Sequence, residues 1–166
     1  RKIVGERQMC LSDRHDTGVS FFGVYYGQAA LPHAPDSLFY LDNAVIRGLK
    51  VYNVEISSDI PVYDLGAAAG RDPYEMFLGG ARSIIRITNP NAAQERRLII
   101  FRDSFGSSIA PLLAAGYSEI TLVDIRYISP LSLGKLIDFT KADDALFLYS
   151  ASVINNSETI KGTSKN

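Results

Sequence analysis

Ser104 stands in the run Phe101-Arg102-Asp103-Ser104-Phe105-Gly106-Ser107-Ser108, where an apolar segment gives way to one of helical composition. A serine at such a junction projects its hydroxyl beyond a strand end, and amides freed at a helix start can donate to an oxyanion. Gly106 would let the backbone come close to a ligand. The same residues also suit a plain strand-to-helix turn capped by Ser or Asp. A nucleophilic serine needs a base. The chain holds two histidines, His15 and His33, and both precede Ser104. Asp13 and His15, within Ser12-Asp13-Arg14-His15-Asp16, have a spacing by which a carboxylate orients an imidazole in an extended segment. A polar surface loop near a chain end also fits them. His33, between Pro32 and Pro35, is expected in an exposed loop. A serine mechanism would thus draw its histidine from upstream, within this chain or before Arg1.

Three further segments carry polar chemistry. In Asp124-Ile125-Arg126-Tyr127, Arg126 could bind a carboxylate, a phosphate or a sugar hydroxyl, or could tie loop to loop through Asp124 or Asp103. Tyr149 to Asn156 (YSASVINN) offers Asn155 and Asn156, as donors to an oxyanion or sugar or as turn residues. Gly79 and Gly80 offer a backbone amide, or a turn. Cys10 is the single cysteine, which excludes an intramolecular disulfide framework and a cysteine-built zinc site. No ligand spacing around His15 or His33 suggests a metal, and the expectation is neither metal nor organic cofactor.

The elements that must hold these residues follow from pattern. Val19 to Tyr26 (VSFFGVYY), Leu49 to Ile56 (LKVYNVEI) and Ile60 to Leu65 (IPVYDL) read as strands. Pro32, Pro35 and Asp36 mark a loop. Asp72 and Pro73 open one helical turn reaching Phe77. From Ser83 onward the texture changes. Ser83 to Thr88, Arg97 to Phe101, Glu119 to Ile125 and Ala145 to Tyr149 read as strands. Ser107 to Ala115 and Leu131 to Thr140 read as helices, the first interrupted by Pro111 and ended by Gly116. Strand–helix–strand–helix–strand predicts a mostly parallel sheet with helices on its faces. Ligands bind beyond the carboxyl ends of such strands. Arg102 to Ser108, Asp124 to Tyr127 and Ser150 to Asn156 should therefore converge.

The chain has 166 residues, 46% hydrophobic and 21% charged, which suits one domain over 1–166 rather than a disordered chain. Segment 1–18 has little pattern, and 158–166 is expected to fray. Seventeen Lys and Arg against eighteen Asp and Glu give a net charge of −1, a poor basis for nucleic-acid binding. No apolar run approaches the roughly 18 residues of a membrane-spanning helix. The start at Arg1-Lys2-Ile3, with no initiator Met and no leader pattern, is expected of a processed product or a fragment.

Five ordered blocks resemble the DHHW family of bacterial exported proteins: Phe22 to Leu31 (FGVYYGQAAL), Asp72 to Gly80 (DPYEMFLGG), Arg97 to Ser108 (RLIIFRDSFGSS), Ile120 to Ile128 (ITLVDIRYI) and Ala145 to Ser157 (ALFLYSASVINNS). That family is similar to SGNH hydrolases and to the acetyltransferase-like proteins of alginate biosynthesis. The resemblance implies a three-layer α/β/α sandwich, SGNH- or flavodoxin-like. It also implies a cell-envelope or extracellular location, and acyl transfer or ester hydrolysis on a polysaccharide or acylated glycan. It places membrane contact only in segments outside this chain. Ser104 matches the nucleophile. The family's histidine lies in an upstream Asp-His-His-Trp or Asp-x-His-Trp motif. This chain has no Trp and no His-His pair, and Asp13-Arg14-His15 matches only Asp-x-His. The chain then reads as a C-terminal portion whose signature and first strands lie upstream, or His15 and Asp13 are a diverged dyad. Arg102 replaces the glycine common before Asp-Ser in GDSL enzymes. Arg102, Asp103, Gly79, Gly80, Asp124, Arg126, Tyr127, Asn155 and Asn156 are the expected substrate-binding set. A second reading is a glycan-binding or assembly module without the base, its tyrosines 25, 26, 127 and 149 stacking on sugars. A third, a phosphate binder using Asp103 at the helix start, lacks the acidic cluster a Mg²⁺-dependent receiver needs.

Overall fold

Two runs buried on both faces, the apolar Leu98-Ile99-Ile100 and Ile120-Thr121-Leu122-Val123 with Thr121 as its one polar residue, lie in the interior of the sheet, as expected for strands covered on both faces. They appear in a computed structural model of the chain, which describes residues 13–22 and 34–156. The strands are β1 (Arg14–Phe21), β2 (Asp36–Leu41), β3 (Lys50–Asn53), β4 (Ser58–Ile60), β5 (Ile84–Thr88), β6 (Arg97–Arg102), β7 (Glu119–Val123) and β8 (Asp144–Leu148). β1 and β2 form an antiparallel pair by themselves. The other six make one sheet in the order β4-β3-β5-β7-β6-β8.

Only the β6–β7 and β6–β8 pairings are parallel; β3–β4, β3–β5 and β5–β7 are antiparallel. The expectation of a mostly parallel sheet is corrected to a mixed one. Residues 89–96, between β5 and β6, are too few for a crossover, which needs about a dozen or more. The chain therefore re-enters the sheet at the end where β5 left it. From β6 onward the connections carry helices, Gly106–Leu113 and then Pro130–Leu136, and the strands run parallel.

Alternation sends the two core faces apart. Leu98, Ile100, Ile120, Leu122, Ile85 and Ile87 pack with Ala110 of the helix Gly106–Leu113 and with Ala114 just beyond it. Ile99, Val123 and Ile84 pack with Leu133 and Ile137 beyond the other face. The β6–β7 and β7–β8 crossovers run in opposite directions across the sheet, so their common right-handedness puts their helices on opposite faces. A third cluster, Leu38, Ala68, Met76 and Phe77, joins the β1–β2 pair to the 3₁₀ turns Ala67–Ala69 and Pro73–Met76.

Several boundaries differ from the sequence reading. β1 starts earlier than Val19 and ends at Phe21; residues 23–26 lie outside the described ones, as do Cys10 and His33. β2 was not anticipated. β3 stops at Asn53, which is buried and whose side-chain oxygen accepts from the Glu55 amide (2.9 Å). The expected strand over Ile60–Leu65 is displaced to β4. The Pro111 helix ends at Leu113, with the Gly116 amide donating to Leu113 O. The next helix ends at Leu136 because Ile137 turns extended into the second core cluster. Asp138 then caps a separate turn, Phe139–Lys141. No helix among the described residues is long and apolar enough to cross a membrane.

Candidate active site

β6 lies between β7 and β8, and all three end on the same side of the sheet. Their following loops meet over that end. Asp103, Ser104 and Phe105 come from the first loop, Arg126 from the second, and Ser150 from the third, with Ser152 and Val153 from the short helix it opens. With Phe21, Asp72 and Tyr74 they line a cavity of about 210 Å³.

Asp103 builds the junction. Its carboxylate is buried and accepts two backbone amides, Phe105 N–H (3.1 Å) and Ser150 N–H (2.6 Å). Its own amide donates to Leu148 O (3.3 Å). One side chain thus fixes the loop after β6 against the loop after β8. It also settles which amides are free. Phe105 N–H donates to Asp103, Gly106 N–H to Asp103 O and Ser107 N–H to Ser104 O. The expectation that the amides following Ser104 await an oxyanion is corrected: these three are taken. The Ser104 amide and hydroxyl have no hydrogen-bond partner among the described residues.

Arg102 does not reach the cavity. Alternation points it to the same side as Leu98 and Ile100, and its side chain is fully buried. Nη1 donates to Asp103 O and Nη2 to Arg82 O, both at 3.3 Å, and Nη1 lies 3.9 Å from Asp124 Oδ2. Burial lowers its pKa, with Asp124 opposing. Its substrate-binding expectation is replaced by a structural one. Gly106 is the counterpart: a Cβ there would stand 2.6 Å from Arg102 Cβ. The glycine makes room for this arginine rather than for a ligand.

Asp124 is fully buried and grips Arg126 with both oxygens, Nε–Oδ1 at 2.9 Å and Nη2–Oδ2 at 2.6 Å. The hydrogen bonds Arg126 donates to Asp124 raise its pKa. Arg126 therefore enters the cavity as an oriented cation, its second edge left for a ligand. Tyr127 is exposed beside it, with the guanidinium 5.4 Å from its ring centroid, outside the cavity lining.

Asp72 and Tyr74, which the spacing treated as a cap and a helical turn, are wall residues. Asp72 Oδ1 accepts the Tyr74 amide (3.0 Å). The Tyr74 hydroxyl donates to Ser108 Oγ (2.7 Å), and Ser108 Oγ donates to Phe105 O (3.2 Å). Burial raises the Tyr74 pKa. The signal was the DPYEMFLGG block, which marks the segment without assigning a wall to it.

Other expected residues lie elsewhere. Gly79 and Gly80 have φ of +69° and +79°, as a tight turn after Leu78 requires, and Gly80 N–H donates to Phe77 O. Neither lines the cavity. Asn155 is exposed on the helix Ala151–Asn155 and Asn156 caps it; the cavity takes Ser152 and Val153 from that helix instead. Asp13 precedes β1, its carbonyl accepting from Asp42 N–H. His15 stacks on Tyr40, centroids 5.2 Å apart. Phe21, at the far end of β1, is the residue of that strand on the cavity, about 20 Å away by strand rise. Between His15 and Phe105 the rings of Tyr40, Tyr63, Phe77 and Tyr74 follow one another in contact. The structure does not bring Asp13 and His15 to Ser104.

A family model described as DHHW protein matches residues 6–123. Among solved structures, the fold is similar to a DHHW family protein from Eubacterium siraeum DSM 15702. That match has 22% identity and a TM-score of 0.64, over 93% of this chain and 54% of that one. It is also similar to Bacillus cereus PatB1 with a sulfonyl adduct (19% identity, TM-score 0.62, 93% of this chain and 52% of that one). A second PatB1 structure matches at 23% identity and TM-score 0.57, over 75% of this chain and 43% of that one. The chain thus spans about half the length of these proteins. No curated protein matches it.

Proposed function

Because the chain belongs to the DHHW family, we propose that it carries the nucleophile of an SGNH-like, serine-dependent esterase or O-acetyltransferase. The protein would act on a polysaccharide or acylated glycan of the cell envelope, with the sheet as the middle layer of a three-layer sandwich. The observation that carries this reading is Ser104 itself. Its hydroxyl and amide are both unengaged, in a cavity over the ends of parallel strands. PatB1, of similar fold, bears a sulfonyl adduct. Such adducts form when a nucleophile displaces a leaving group from sulfur, and activated hydroxyls do so readily.

In this mechanism Ser104 Oγ attacks the carbonyl carbon of an acetyl ester and gives its proton to a base. The Ser104 amide donates to the oxyanion. The ester C–O bond breaks, the sugar oxygen takes the proton, and an acetyl-serine remains. Water or a second sugar hydroxyl then attacks that ester and releases Ser104. Asp103 positions the nucleophile loop, and Arg126, held by Asp124, orients substrate. The scheme uses no metal or organic cofactor. Its base is a histidine other than His15, contributed by residues outside the described set. Hydrolysis of 4-nitrophenyl acetate by the whole protein tests the reading. Ser104→Ala should lower the rate by roughly 10³-fold or more, and retention of the rate to within a few-fold would refute it.

One observation favours the second reading, a glycan-binding module: no histidine lines the cavity among the described residues. Glycan binding unchanged in Ser104→Ala, together with no ester hydrolysis by the unaltered protein, would establish that alternative.

A further inference from the structure

Phe105 is the residue after the nucleophile, yet it is 58% exposed and belongs to none of the three apolar clusters. The fold holds this residue firmly all the same. Its amide donates to Asp103 and its carbonyl accepts from Ser108 Oγ. Its ring meets Tyr74 edge-on, with centroids 6.2 Å apart and planes at 66°. A backbone held from both sides thus presents an apolar ring to solvent, with Tyr74 against it. Ile109, one turn further along the helix and 38% exposed, extends the apolar strip. Around it stand polar groups at the cavity: Asp72, Arg126, Ser150 and Ser152.

We infer that the Phe105 ring is the floor of a sugar subsite, on which the C–H face of a pyranose stacks while its hydroxyl edge meets the polar wall. The inference rests on the glycan reading of the Ser104 site and adds to it the residue that seats the sugar. A pyranose has the matching division, an apolar face and a rim of donors and acceptors. A rigid aromatic with one open face suits it, because little conformational freedom is lost on stacking. Edge-on support from Tyr74 leaves that face open. The subsite and Ser104 line the same cavity.

Binding to an array of pyranose oligosaccharides is the test. It is made with the whole protein carrying Ser104→Ala, so that turnover does not consume the probe. Adding Phe105→Ala should weaken binding to the best oligosaccharide roughly tenfold. Phe105→Trp should restore it, which a merely structural role would not produce. Equal affinity with and without the ring would overturn the inference, as would no binding of any pyranose by the parent. Ester hydrolysis by the protein with Ser104 intact is read separately. Its absence would refute the nucleophile while leaving the stacking result to stand or fall alone.

Discussion

Asp103→Asn tests whether one carboxylate holds the site together. Asp103 is 1% exposed and accepts from Phe105 N–H and Ser150 N–H, one amide to each oxygen. Asparagine keeps the shape but offers one oxygen. Whichever way it turns, its NH₂ faces one of the two amides. The variant loses one hydrogen bond to a charged acceptor, worth about 1.5–3 kcal/mol, and leaves a donor facing a donor in a buried place. The expected cost is about 2–4 kcal/mol, a large share of the roughly 5–15 kcal/mol of a typical domain. In urea, with a slope of about 1–3 kcal/mol per molar, the midpoint should fall by about 1–2 M with the slope unchanged. Hydrogen exchange at the Ser150 amide should quicken as the loop after β8 comes free. A change below about 0.5 kcal/mol, the size of an ordinary surface substitution, would refute the role of Asp103 as the tie between β6 and β8.

Other outcomes follow from the same packing. Gly106→Ala would set a Cβ 2.6 Å from Arg102 Cβ, against a side chain with no solvent to move into, and should cost about 1–3 kcal/mol by thermal unfolding. Asp124→Ala strips Arg102 of its nearest buried carboxylate and frees Arg126, and should cost about 3–5 kcal/mol in the same assay. Tyr63, whose hydroxyl donates to Leu41 O, has its pKa pushed up to about 12 from 10.0, first by burial and then by Asp42 and Tyr40. The unfolded chain ionises first, so this contribution is whole below pH 10 and lost as pH rises to about 12. Urea midpoints measured across that window should fall less steeply for Tyr63→Phe than for the unaltered protein.

The parts of the fold that were legible were those where burial leaves a continuous signature. Leu98-Ile99-Ile100 is apolar throughout, and Ile120 to Val123 is apolar but for the buried Thr121, because helices cover both faces. The direction of β5 was hidden in the strand's own residues, though the few residues between Thr88 and Arg97 held it. β2 carries little signal because Asp36 and Ser37 are exposed and only Leu38 of the strand is buried. The meeting of three loops over one sheet end followed from element order alone. Which side chains enter the cavity did not. Arg102 reads as a site residue beside Asp103-Ser104, but alternation from Leu98 and Ile100 carries it into the interior. His15 reads as a base, but its position depends on the register of β1 against β2, which pairs it with Tyr40. Phe21 and Asp72 reach the cavity through contacts remote in sequence, which no local pattern encodes.

The central claim is that Ser104 is an activated nucleophile. Labelling the whole protein with a fluorophosphonate and mapping the adduct by mass spectrometry tests it most directly. The account predicts an adduct on Ser104, absent when the protein is unfolded beforehand and absent in Ser104→Ala. A folded protein with Ser104 unmodified, or with the adduct on another residue, would contradict it.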